Sequence, residues 1–94
     1  MEIEDLIGLI KNSSGYKAYH YIANQNNISK IKAEYTESHF TYREERGKNF
    51  EFSGYINFDK NIINGIINYK EEKNNYYKVI KYEDNLDLSK KHTK

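Results

Sequence analysis

The 94-residue sequence has no cysteine, no proline and no tryptophan, and only five glycines. Without cysteine there can be no disulfide framework and no thiolate metal site, which fits a reducing compartment. No apolar run approaches the roughly 18 residues of a membrane-spanning helix. The opening residues carry Glu2, Glu4 and Asp5 where a secretory leader would carry positive charge. A soluble protein of the cytoplasm, with no membrane association, is the expectation. The missing proline accompanies abundant Lys, Ile, Asn and Tyr, a bias expected of AT-rich coding, so neither Tyr nor Lys counts argue strongly for function.

A strong charge of either sign is missing too. Fifteen basic and 14 acidic residues leave a formal net charge of +1. Lys90, Lys91 and Lys94 crowd the last five residues, and setting those three aside leaves 12 basic against 14 acidic. The body is therefore near neutral, without the electrostatic footprint of a dedicated nucleic-acid binder.

What the sequence does have is a run of β-branched and aromatic residues over 50–83, broken at Asp59-Lys60-Asn61 and across 71–75. This predicts a three-stranded antiparallel meander. A pentad recurs within it, Gly54-Tyr55-Ile56-Asn57-Phe58 and Gly65-Ile66-Ile67-Asn68-Tyr69. Ahead of it, Ile3, Leu6, Ile7 and Ile10 fall at the spacing of one helix stripe, and Ser13-Ser14-Gly15 ends that helix. So short a helix is marginal alone and must pack on the sheet.

Residues 16–23 alternate loosely and are rich in Tyr, so they read as a further strand, turning at 24–27 into an extended stretch over 28–37. There Ile31, Ala33 and Tyr35 share one face, and Lys30, Lys32 and Glu34 the other. Residues 38–45 continue as strand, with Phe40 and Tyr42 on one face and a bulge expected at Glu37-Ser38; whether 28–45 is one bent strand or two stays open. Arg46-Gly47-Lys48-Asn49 is a turn. The fold expected is α+β, a short N-terminal helix on an antiparallel meander of about five strands. Residues 1–85 form one domain and 86–94 a flexible tail holding Leu86 and Leu88.

Side-chain facing has period two, so register decides which residues share a face. A two-residue turn at Lys60-Asn61 would oppose Phe58 to Ile63, Ile56 to Gly65, Gly54 to Ile67 and Phe52 to Tyr69. A second turn centred on Lys73 would set Ile67 beside Val79 and Tyr69 beside Tyr77, giving one apolar face under the helix. The other face then mixes Ser53, Asn57, Asn64, Asn68 and Lys78 with a row of Tyr55, Ile66 and Ile80, flanked by Ile62, Tyr76 and Tyr82. Such a row is either covered by the chain's own strands or a second subunit, or it is a docking surface.

Catalytic patterns are not evident. His20, His39 and His92 do not have metal-ligand spacing, and Glu44-Glu45 and Glu71-Glu72 are adjacent pairs whose members point to opposite strand faces. No phosphate-binding glycine loop or nucleophile elbow occurs. A non-enzymatic protein without cofactor or metal is the expectation.

Two stretches, Asp5-Leu6-Ile7-Gly8-Leu9-Ile10-Lys11-Asn12 and Asn49-Phe50-Glu51-Phe52-Ser53-Gly54-Tyr55, resemble parts of small anti-CRISPR proteins, the phage- and mobile-element-encoded inhibitors of CRISPR effectors. The resemblance implies a stoichiometric inhibitor in the host cytoplasm that binds an effector nuclease or its guide-loaded complex. Lacking a strongly acidic surface, this chain departs from the DNA-mimicking members and points to occlusion of a protein surface. The contact residues expected are Tyr55, Ile66, Ile80, Tyr76 and Tyr82, with Glu44, Glu45 and Glu51 meeting basic grooves. Two alternatives stand beside it. Lys, Arg and Tyr interleave over 16–21 and 35–43, as in sheets that bind single-stranded nucleic acid through residues such as Lys30, Lys32 and Arg43. A self-associating, antitoxin-like module would instead bury the Tyr55 row in a homodimer.

Overall fold

The structure, a computed structural model, describes residues 2–71, 73 and 75–86. Helices α1 (Ile3–Lys11) and α2 (Ser14–Ile22) precede strands β1 (Ile28–Tyr35), β2 (His39–Arg46), β3 (Phe50–Asn57), β4 (Ile62–Glu71) and β5 (Tyr76–Asn85). The strands form one antiparallel sheet in sequence order. Both helices pack on the same face of it, α1 over β2 and β3, α2 over β3, β4 and β5. The architecture is α+β, as the sequence predicts. Residues 28–45 are two strands, and 36–38 form the turn between them, closed by Thr36 N–H donating to the His39 carbonyl at 2.8 Å. The irregularity expected at Glu37-Ser38 lies instead between Ile28 and Lys30.

The strand expected over 16–23 is a helix. Ser13 makes it one: its side chain accepts from Tyr16 N–H while its own hydroxyl donates to the Ile10 carbonyl at 2.6 Å. One residue thus closes α1 and caps α2. Tyr16, Tyr19 and Ala23 are buried, at helical spacing, while Lys17, His20 and Tyr21 face water. Aromatic content favours a strand here, but the tyrosines gain more by sharing one helical stripe over Phe52. Their rings lie 5.3 and 5.4 Å from its ring.

Leu6 and Ile10 of α1 pack down onto Phe40, Tyr42, Phe52, Ile56, Ile63 and Ile67 of the sheet, all buried in one core. The two pentad glycines, Gly54 and Gly65, are direct cross-strand partners. They hollow the sheet where α1 and α2 come closest. A Cβ at Gly54 would stand 2.8 Å from the Ile10 Cγ2 atom, and one at Gly65 would stand 3.1 Å from the Phe52 ring.

Two registers differ from expectation, with different consequences. Between β3 and β4 the closing pair is Asn57 and Ile62, so four residues make the turn and Phe52 opposes Ile67 rather than Tyr69. A slip of two keeps every face. Between β4 and β5 the connection spans 72–75, and Ile67 opposes Ile80 rather than Val79. A slip of one exchanges the faces of the whole strand. Tyr76, Lys78, Ile80 and Tyr82 therefore belong to the helix side, and Tyr77, Val79 and Lys81 to the outer side. Both turns end on asparagine in the left-handed region, Asn61 and Asn75, each at φ 55°.

Leu86, expected to begin the tail, is buried, and its N–H donates to the Asn61 carbonyl at 2.8 Å. The rest of the expected tail, 87–94 with Leu88, the three terminal lysines and His92, lies outside the described residues. No helix among the described residues is long and apolar enough to cross a membrane.

Candidate functional site

A polar cluster lies inside the protein where the Tyr16, Tyr19 and His20 side chains of α2 reach across to β2. Glu44 and Arg46 alternate on the helix side of β2, and the guanidinium Nε donates to the Glu44 carboxylate at 2.8 Å with both side chains almost wholly buried. The Tyr42 hydroxyl donates to the same carboxylate at 2.5 Å, and the Tyr16 hydroxyl lies 3.0 and 3.2 Å from its two oxygens. Arg46 Nη2 donates to the Tyr16 hydroxyl at 3.1 Å and lies 3.0 Å from His20 Nδ1. The guanidinium also covers the Tyr19 ring, whose hydroxyl donates to the Glu44 carbonyl. No buried side-chain polar atom among the described residues lacks a partner.

Burial, reinforced by the negative Glu44, pushes the Tyr16, Tyr19 and Tyr42 hydroxyls above the ordinary phenol value. Burial alone would lower Arg46, but its bonds to Glu44 and Tyr16 outweigh that and raise it. Neutral phenols donating to a paired carboxylate form a fastening between helix and sheet. Glu44, expected as an acidic surface contact, is its centre. Nothing on a partner can reach it while the fold is intact.

The outer face of the sheet is covered by no described element. Register lays its side chains out in cross-strand rows. One row runs Lys30, Glu45, Glu51, Asn68, Val79; the next Lys32, Arg43, Ser53, Ile66, Lys81; the third Glu34, Thr41, Tyr55, Asn64, Glu83. Glu45 and Glu51 stand opposite each other, a repulsive pairing relieved by the ion pair of Arg43 with Glu51. Lys32 pairs with Glu34 along its own strand at 3.0 Å. Beyond the third row, His39 packs on Tyr55 with ring centroids 5.0 Å apart.

The sequence-predicted contact set is therefore split. Tyr55, Ile66, Glu45 and Glu51 share the outer face. Ile80 and Tyr82 are half-buried against the core on the other side, and Tyr76 is exposed at the far end of that same side. The register change puts Val79, 56% exposed, and Tyr77, 70% exposed, on the outer face in their stead. Only the length of the 72–75 connection could have revealed this from sequence.

The three cations considered for nucleic acid do converge: Lys30, Lys32 and Arg43, with Glu45, line an outer-face depression of about 200 Å³. His20 and His39 do not, since one lies beside Arg46 on the helix side and the other on Tyr55 outside. Among the described residues no group of three or more His, Asp or Glu could hold a metal ion. No protein-family model, no curated protein and no solved structure matches the chain.

Proposed function

We propose that this protein is a small non-enzymatic inhibitor that binds a CRISPR effector nuclease, or a similar defence nuclease, in the host cytoplasm and blocks it by covering a functional surface. The reading draws on the resemblance of residues 5–12 and 49–55 to anti-CRISPR proteins. Those stretches fall on α1 and β3, which pack together through Ile10 and Gly54. The likeness thus concerns the scaffold's core. The observation that carries a binding role is the uncovered outer face, where Tyr55, Ile66, Tyr77 and Val79 lie among charges of both signs. Aromatic and aliphatic groups ringed by polar ones suit a protein interface.

The test uses purified guide-loaded effectors incubated with the protein at increasing molar ratio, followed by target cleavage. Cleavage by at least one effector should stop at a fixed stoichiometry. The Tyr55→Ala/Ile66→Ser double variant should stay folded by circular dichroism and lose inhibition. Undiminished cleavage across representatives of every effector class would end this reading.

A second reading, a sheet that binds single-stranded nucleic acid, is favoured by one observation, the convergence of Lys30, Lys32 and Arg43 on the sheet face that also carries the Tyr55 and His39 rings. Glu34, Glu45 and Glu51 interleave with those cations and offset their field. Salt-sensitive retention of a labelled oligonucleotide, lost on charge reversal at the three positions, is its signature.

A further inference from the structure

Strand β1 is one of the two edges of the sheet, and it lies beyond the helical layer. Its helix-side residues are consequently only half covered: Ile31 is 50% exposed, and Tyr35 is 51% exposed although its ring rests on Phe40 and Phe58. The closing bond from Thr36 to His39 fixes which backbone groups are already used. In an antiparallel pair, hydrogen-bonded positions alternate. Thr36, Glu34, Lys32 and Lys30 therefore turn their N–H and C=O groups to β2, while those of Ile31, Ala33 and Tyr35 point away from the sheet.

An edge of this kind is a template for another strand, and lysines commonly blunt it. Here the lysines are matched by a carboxylate. We propose that β1 pairs with β1 of a second copy of this chain, antiparallel about a two-fold axis at Ala33. Ala33 then opposes Ala33 of the second copy, so the unused backbone groups of both strands meet. On the outer face Lys32 opposes Glu34 of the second copy, twice by symmetry. On the helix side Ile31 opposes Tyr35, also twice, an aliphatic-aromatic cross-strand match. Moving the axis to Lys32 would set Lys32 against itself and remove the Ile31 and Tyr35 match. The β5 edge fits less well, because the register that opposes Lys81 to Glu83 sets Ile80 against Asp84. The symmetric contact closes on itself and yields a dimer with one continuous sheet, not a fibre.

The experiment uses the full chain alone, with no effector or nucleic acid, so its outcome is independent of the inhibitor reading. Sedimentation equilibrium should show a reversible dimer of twice the 11.2 kDa chain mass. Lys32→Glu, which replaces two attractions by two repulsions, should weaken it by about tenfold with the circular-dichroism spectrum unchanged. The charge swap Lys32→Glu/Glu34→Lys should restore it. Because the chain has no native cysteine, Lys32→Cys and Glu34→Cys proteins should cross-link with each other on oxidation faster than either does with itself. A monomer at all concentrations, assemblies larger than dimers, no rescue by the swap, or preferential self-linking of the Lys32→Cys protein would each overturn the proposal.

Discussion

Gly54 on β3 and Gly65 on β4 stand directly opposite each other, and the Cβ atoms they lack leave the hollow into which α1 and α2 settle. At Gly54 an added methyl meets Ile10 Cγ2 at 2.8 Å and the Phe52 ring at 2.9 Å, both fully buried with nowhere to move. Gly54→Ala should therefore cost about 1–3 kcal/mol of unfolding free energy in urea titrations. Gly8→Ala is the control. It lies inside α1 with nothing within 4 Å of the added atom, and should stabilise by about 0.5–1 kcal/mol. Equal effects at the two sites would contradict the packing described.

The buried ion pair predicts a thermodynamic asymmetry. Removing one partner, as in Glu44→Ala, leaves the Arg46 guanidinium without its anion and the Tyr42 and Tyr16 O–H groups without their acceptor, at a cost of about 3–5 kcal/mol. Replacing both, as in Glu44→Leu/Arg46→Met, should cost less than the Glu44 change alone. Chemical denaturation of the single and double variants measures the difference.

The tyrosine hydroxyls set an alkaline limit. Their folded values lie above the ordinary 10.0, first through burial and then through Glu44. The fold thus favours the neutral phenols, so their contribution is complete below pH 10 and declines as pH rises beyond it and the unfolded chain ionises. The melting temperature should be insensitive to these groups at neutral pH and fall above pH 10. In ultraviolet titration Tyr16, Tyr19 and Tyr42 should ionise only together with loss of the folded circular-dichroism signal.

The register of β5 is open to a direct check. Ile80 packs against the core and Val79 is 56% exposed. Ile80→Ser should destabilise by about 1–3 kcal/mol, and Val79→Ser should remain within about 0.5 kcal/mol of the parent. The opposite ranking would restore the register that pairs Ile67 with Val79.

Several features were readable directly in the sequence because they depend on local periodicity. The α1 stripe, the alternation of Lys30, Lys32 and Glu34 against Ile31, Ala33 and Tyr35, the meander over 50–83 and its turn positions all follow from 3.6- and 2-residue patterns within one segment. The core face of β3 and β4 is legible too, because changing the turn between them by two residues leaves side chains on the same side. That much the chain determines by itself.

Tertiary structure decided the rest, wherever a choice rested on distant partners. Residues 16–23 suit either periodicity in isolation, and Ser13 together with Phe52, far along the chain, makes them a helix. One residue in the 72–75 connection decides whether Ile80 or Val79 meets water. Glu44 looks like a surface carboxylate beside Glu45 until α2 brings Tyr16 over it and Arg46 turns to the same side. Burial of a charge requires partners from several segments at once, and only the folded chain brings them together.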